Sequence, residues 1–417
     1  MEAKSPIFKE AIRFWLKLGF VSFGGPTAQI AMMHEEIVER RKWISEADFL
    51  SGLNFCMMLP GPEAQQLATY IGWRMHGVRG AFVAGGLFVI PAVFILWGFS
   101  WLYAQWGSVP FVASLFQGLE VAVVALVAMA IVRIGKKSIK SKGALGLAVG
   151  AFLGAFILQL NFLWWVVGLL FSSFLMKRQD PLKKEGGGID SQWRKIGMEA
   201  GLKFMGGFAI CFSPILAIGL IQGWSSLGAQ LGLFFTKVAL LTFGGAYAIL
   251  PYVSQEAVHH FHWLNTEQMI AGLGLAETTP GPLIMVLQFV GFMAGWLNPE
   301  GGSPLGMATF GALITTWVTF FPSFLFIFIG GPLLDRLDSF PVWERFLKWI
   351  SAAVVGVIGA MAVGFASHVL MVSGEIQWIK IIGVFMALWG IKRWKWSPLV
   401  VVMGGAIFGW LISGWPF

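Results

Sequence analysis

FGGPTAQIAMMHEEIVERRKWISEADFLSGLNFCMMLPGP (23–62) returns later in the chain as FGGAYAILPYVSQEAVHHFHWLNTEQMIAGLGLAETTPGP (243–282). The offset is 220 residues throughout, and 12 of the 40 aligned positions are identical. Phe23-Gly24-Gly25 thus pairs with Phe243-Gly244-Gly245, and Pro60-Gly61-Pro62 with Pro280-Gly281-Pro282, the spacing being kept without a gap. Both motifs interrupt apolar sequence with Gly and Pro. In a chain that lives in lipid, breaks at matching places in two halves point to a substrate site between the halves.

Composition places the chain in lipid. Hydrophobic residues make up 57% and charged residues 12%, where a soluble domain carries roughly 25% charge. Mean hydropathy is +0.75. The 21 Trp and 38 Phe suit a bilayer and its interface. The net charge of +8 does not argue for nucleic acid, because Lys and Arg sit in short loops between apolar runs, as the positive-inside rule expects. Cys56 and Cys211 both lie in apolar segments and offer neither a disulfide framework nor metal spacing. The N-terminal MEAKSPIFKEAIRFW lacks an uninterrupted apolar core and a small-residue cleavage site, and reads as a retained amphipathic lead-in.

Four regions follow: an N-terminal repeat (1–178), a charged, glycine-rich cytoplasmic linker (179–198), a connecting transmembrane helix (199–228) and a C-terminal repeat (229–417). Apolar segments near 11–33, 49–73, 80–102, 111–134, 143–159 and 161–176 are matched by 229–253, 269–292, 309–330, 346–372, 379–391 and 397–416. Pro91 and Pro110 match Pro322 and Pro341 at an offset of 231, which puts an 11-residue insertion near LNPEGGSPLG (297–306).

Loop charges orient the halves. Arg74, Arg79 and the Lys136–Lys142 cluster are basic, whereas 103–110 is uncharged. In the second half the counterpart of the Arg74/Arg79 loop (293–308) has no Lys or Arg, the counterpart of 103–110 carries Arg336, Arg345 and Lys348, and 392–395 carries three cations. The repeats should therefore be inverted. Five crossings between them, an odd number, agree. Arg40-Arg41-Lys42 and Arg74/Arg79 flank 49–73 and put both of its ends on one side. The expected fold is an all-α polytopic membrane protein of two inverted-topology repeats, with broken, re-entrant helices tipped by the Gly/Pro motifs.

The breaks have a chemistry. Proline is favoured at the first helical position, so helices should begin near Pro26 and Pro62, with Pro282 repeating the second and Ala246 replacing the first. A helix N-terminus offers unpaired N–H groups and about half a positive charge. Such ends meeting at the midplane would suit a small oxyanion. Kinks or close packing are the plainer reading of one such motif; two motifs, each duplicated at fixed spacing, favour the site.

Lys17 and Lys237 also pair at offset 220, each six residues before its motif, either facing the anion or snorkelling at a helix end. Glu63, at the second position of the helix that Pro62 opens, suits a cap or a coupling and gating role. Glu277 precedes the second motif, so the two acids are not equivalent. Thr278, Thr279, Gln65, Gln66 and Asn54 could donate to an oxyanion or bond neighbouring backbone; Gln29 and His34 are weaker candidates. His259, His260 and His262 read as a solvated loop. No metal or other cofactor is expected. His-Glu-x-x-His and Gly-x-Ser-x-Gly are missing, which argues against an intramembrane enzyme.

SFGGPTAQIAMMHEE (22–36), RRKWI (40–44), LPGPEAQQLATYIGW (59–73) and HGVRGAFVAG (76–85) resemble the N-terminal signature of the chromate ion transporter family. TFGGAYAILPYVSQEAV (242–258) and GLGLAETTPGPLIMVLQFVGFMAG (272–295) resemble its C-terminal one, as in the long, two-domain members. The resemblance implies a multi-pass protein of the bacterial inner membrane that exports chromate and confers resistance. A carrier of sulfate or of oxyanions generally is the alternative, because chromate and sulfate are similar tetrahedral dianions. The expected partners are chromate, sulfate, the lipid bilayer and, as an open expectation, a second copy of the chain; no nucleic acid is expected.

Overall fold

Each half of the chain begins with two helical hairpins whose tips are its Gly/Pro motifs. The computed structural model describes residues 6–160, 162–176, 191–243, 245–331, 341–372 and 374–413. In the first half, α1 (Phe8–Val21) stops at the Phe23-Gly24-Gly25 break and α2 (Gly25–Met33) returns, running on as a π-helical turn (His34–Arg40). The open end of this hairpin is tied by Arg41 to Glu10 at 3.1 Å and by Phe14 edge-on to Trp43 at 5.2 Å. The second hairpin pairs α3 (Glu46–Met58) with the start of α4 (Glu63–Trp106) around Pro60-Gly61-Pro62. Its open end is tied by Arg74 to Asp48 at 2.8 Å. Both ends of each hairpin thus lie on one side, as re-entrant segments require.

The helix α4 is itself folded back. His76 and Gly77 leave helical geometry, Gly77 at φ +60. A Cβ on Gly72 would run into the Gly80 carbonyl, and one on Gly85 into the Thr69 hydroxyl. Residues 69 and 85 would be about 24 Å apart along a straight helix at 1.5 Å per residue, so the chain reverses here. The second arm of α4 (78–106) crosses the membrane; α5 (Pro110–Ser138), α6 (Lys142–Phe156) and α7 (Phe162–Met176) follow.

The second half repeats the plan after α8 (Ser191–Gln222). α9 (Leu227–Leu241), α10 (Ala246–Gln255) and a π-helical turn (Glu256–His260) form the first hairpin. Phe234 meets Trp263 edge-on at 5.4 Å, the counterpart of Phe14 and Trp43. α11 (Thr266–Thr278) and α12 (Val286–Leu297), the latter entered through a 3-10 turn (Leu283–Met285), form the second hairpin. An extended loop replaces the tight turn at Gly77, and α13 (Pro304–Gly330), α14 (Pro341–Leu370), α15 (Trp378–Trp394) and α16 (Pro398–Ile412) complete the half. A two-stranded hairpin, β1 (Met371–Val372) with β2 (Glu375–Ile376), joins α14 to α15. α4, α5, α13, residues 205–222 of α8 and 346–370 of α14 are long and apolar enough to span a bilayer. The chain is a multi-pass, all-helical membrane protein.

Two sets of contacts relate the halves. The Gly61 N–H donates to the Thr242 carbonyl at 2.8 Å, and the Gly281 N–H donates to the Ser22 carbonyl at 2.9 Å. Ser22 with Thr242, and Gly61 with Gly281, are each 220 apart, so each half's Pro-Gly-Pro tip bonds the other half's break by a reciprocal, two-fold rule. The crossing arms supply the direction. Phe82, early in the second arm of α4, stacks on Phe324, late in α13, at 5.0 Å. Trp97, later in that arm, donates to the hydroxyl of Thr309, early in α13, at 3.0 Å. These arms are therefore antiparallel. Each starts at the open end of its own half's hairpins, so the two sets of hairpins enter from opposite faces and the repeats are inverted. One face, called basic below, carries Arg40, Arg41, Lys42, Arg74, Arg79 and Lys136 to Lys142, while the 298–303 loop on the opposite face has no Lys or Arg.

Candidate functional site

Where the tips meet, a cavity of about 380 Å³ lies between the halves, within the range of about 300–1,000 Å³ usual for small-ligand sites. Its deep wall is the two breaks: Gly24, Gly25, Pro26 and Thr27 from one, Phe243, Gly245, Ala246 and Tyr247 from the other. The chain can turn there because Gly24, Gly25 and Gly245 adopt φ of +93, +76 and +98, a region closed to most side chains. α2 begins at Gly25 and α10 at Ala246, neither with a side-chain cap. First-turn N–H groups have no partner within their own helix, so both helices bring donors and the positive end of a dipole to the wall.

Among the described residues, three cations and two acids share the cavity: Arg133 and Lys137 from α5, Lys348 from α14, Glu63 from the start of α4 and Glu277 from the end of α11. The Tyr247 hydroxyl donates to Glu277 Oε1. The charge of Arg133 acts on Glu277 and Tyr247, and that of Lys137 on Glu63. The acids are not related by the repeat. Glu63 pairs with Leu283 and Glu277 with Met57, and all four positions line the cavity. Lys137, Ser138 and Lys348, with Trp396 and Pro398 of the α15–α16 turn, frame a mouth on the basic face.

Several residues expected at the site stand elsewhere. Lys17 and Lys237 lie on exposed faces of α1 and α9 and do not line the cavity. Six residues at 3.6 per turn carry a side chain roughly 240° round the helix from its break, and Lys237 instead sits 5.4 Å over the Tyr252 ring. Pro60, Gly61, Pro62, Pro280, Gly281 and Pro282 lie behind the wall, where the N–H groups of Gly61 and Gly281 are consumed by the partner half's carbonyls. Gln65 is buried and donates to Thr69. Thr278 and Thr279 bond carbonyls of their own helix. Phe23 flanks the break without lining the cavity. Gly244 lies outside the described residues, as does part of the basic loop that holds Arg336. Gln29 is buried and bridges the Ser22 and Gly281 carbonyls at 3.0 and 2.6 Å, a clamp on the tips. His34 faces Glu39 and Glu46 at the surface.

Arg133, Lys137, Lys348 and Tyr247 enter the site unannounced by the repeat. A signal was available for two of them. Arg133 is a cation inside an apolar run, and Lys137 follows one turn later on the same face.

The family model for chromate transporters matches residues 9–174 and 229–410. The chain is 27% identical over 403 residues to a chromate transport protein of Cupriavidus metallidurans, covering 96% of this chain and 92% of that one. It is 30% identical over 414 residues to a chromate transport protein of Pseudomonas aeruginosa, covering 95% and 91%. An uncharacterised transporter of Bacillus subtilis is 25% identical over 183 residues, which are 43% of this chain and 93% of that relative. No solved structure matches the chain.

Proposed function

This chain belongs to the chromate transporter family, and we propose that it exports chromate from the bacterial cytoplasm across the inner membrane and so confers chromate resistance. The observation that carries the reading is the convergence of two uncapped helix N-termini with Arg133, Lys137 and Lys348 in one cavity between inverted repeats. A tetrahedral dianion has acceptors on every side. N–H groups of α2 and α10 meet it at the wall, and the Arg133 guanidinium meets it as a planar fork. The cations at the mouth draw it in from the basic face, which the positive-inside rule makes cytoplasmic.

Glu277 and Glu63 share the cavity with the cations and offset part of their charge when the anion is away. Arrival of chromate sets up a competition for Arg133 and Lys137, so the acids act as coupling or gating groups. Release follows when the hairpins rock about the reciprocal tip bonds and the cavity opens to the other face, an alternating-access cycle. A cytoplasm-negative potential favours exit by about 2.3 kcal/mol per charge per 100 mV. A dianion therefore gains roughly twice that on leaving, and no second ion is needed.

The test is chromate uptake by inside-out membrane vesicles under an imposed potential, with and without excess sulfate. Potential-driven chromate accumulation is expected. Efficient sulfate movement with no chromate movement would overturn the substrate and favour a general oxyanion carrier.

A further inference from the structure

A crevice of about 670 Å³ opens on the face opposite the cavity. Its α14 wall is Val357, Ala360, Met361, Gly364, Phe365, Ser367 and His368. Subtracting the repeat offset of 231 gives Leu126, Met129, Ala130, Arg133, Ile134, Lys136 and Lys137, all of which but Lys136 line the cavity on the basic face. The remaining walls correspond by element and not by residue, since Pro251, Tyr252, Ser254 and Gln255 of the crevice match Ala31, Met32, His34 and Glu35, which do not line the cavity. α2 lines the cavity and its repeat α10 lines the crevice. The α15–α16 turn closes the side of the cavity, and the α6–α7 turn, through Phe156, Gln159 and Phe162, closes the side of the crevice. The two spaces are one design used twice, once in each orientation.

They differ in depth and in charge. The cavity reaches the breaks and both acids, whereas the crevice meets α10 only from Pro251 onward, beyond its first turn. The cations are also lost: Gly364 stands where the cavity has Arg133, and His368 where it has Lys137. Among the described residues, no Lys, Arg, Asp or Glu lines the crevice. Its ionisable groups are His259, His368 and the Tyr252 phenol, over whose ring Lys237 lies.

We infer that the crevice between α10 and α14 is the exit-side oxyanion vestibule, shut off from the breaks in this structure, and that the exchange of Arg133 and Lys137 for Gly364 and His368 makes it the weaker of the two anion sites. The inference takes its ligand class from the transport reading above. Weaker binding at the exit face lets the anion leave rather than rebind. Charge-assisted N–H bonds are about twice as strong as neutral ones, so half-saturation from the exit face should lie about tenfold or more above that from the basic face.

The test uses the full chain in vesicles of both orientations, with Cys56 and Cys211, both buried, replaced by Ala. Ser138→Cys and Ser367→Cys are exposed in turn to an anionic, membrane-impermeant methanethiosulfonate. Ser138→Cys should react from the basic face and Ser367→Cys from the exit face, with chromate slowing both. In a second arm, His368→Arg, with His368→Lys alongside it, should lower the half-saturating chromate concentration at the exit face about tenfold and leave the basic face unchanged. Labelling of Ser367→Cys from the basic face, or an unmoved exit-face half-saturation in both His368 variants, overturns the inference. Protection by chromate at 138 but not at 367 overturns the vestibule and leaves the transport reading intact. Protection by sulfate at both positions, with none by chromate, overturns the substrate and supports the vestibule.

Discussion

Arg133 and Lys17 show how differently two cations in apolar sequence can be used. Lys17 sits on the exposed side of α1, while Phe14, Trp15 and Leu18 fill the buried side, so its ammonium can snorkel along lipid to the interface. Arg133, also exposed, lines the cavity with Glu277 and Tyr247. A hydrogen bond to a charged group contributes about 1.5–3 kcal/mol. Arg133→Gln should therefore raise the half-saturating chromate concentration about tenfold or more, while Lys17→Ala and Lys237→Ala move it by less than about twofold. Vesicle transport at varied chromate measures all three. Equal losses for Arg133→Gln and Lys17→Ala would return the lysines to the site. Glu63 lines the cavity together with Lys137, and the proposed cycle gives its carboxylate a coupling role beyond capping the helix it begins. Glu63→Gln is expected to flatten the pH dependence of transport in folded protein; an unchanged profile would leave Glu63 as a cap alone.

The hairpin is the element on which the architecture turns. Gly61 and Gly281 hold φ of +120 and +105, and a Cβ on Gly281 would crowd the Ala92 methyl. A strained backbone of this kind costs on the order of 1–3 kcal/mol when a side chain is forced into it, and the substitution also loosens the reciprocal tip bonds. Gly61→Ala and Gly281→Ala should each lower the melting temperature of detergent-solubilised protein and reduce transport. Gly150→Ala, in the open on α6, should be neutral or slightly stabilising. If all three behaved alike, the tips would carry no special constraint. The hairpins were legible in sequence because Gly and Pro are punctuation that local sterics enforce. The loss of the tip N–H groups as anion donors was not legible, because their partners, Ser22 and Thr242, lie more than 180 residues from the glycines they bind.

For the molecule as a whole, the antiparallel pairing of the second arm of α4 with α13 makes the repeats inverted, and labelling can check it. Arg79→Cys should react with an impermeant thiol reagent only from the cytoplasmic face and Gly302→Cys only from the other. Reaction of both from one face would require parallel repeats and a redrawn site. The inversion also explains why the α5 wall of the cavity and the α14 wall of the crevice match on opposite faces.

The sequence by itself determined the membrane class, the two repeats, the positions of the breaks and the opposed orientation of the halves, since hydropathy, Gly/Pro punctuation and loop charge act locally or sum along the chain. Tertiary structure alone decided which of the many polar groups share a cavity. Which way Lys17 and Arg133 point depends on helix rotation and on the packing of the opposite repeat. So does the fate of the Gly61 and Gly281 N–H groups, which a carbonyl from the other half claims before any anion can. These are long-range contacts, and no window of sequence contains both partners.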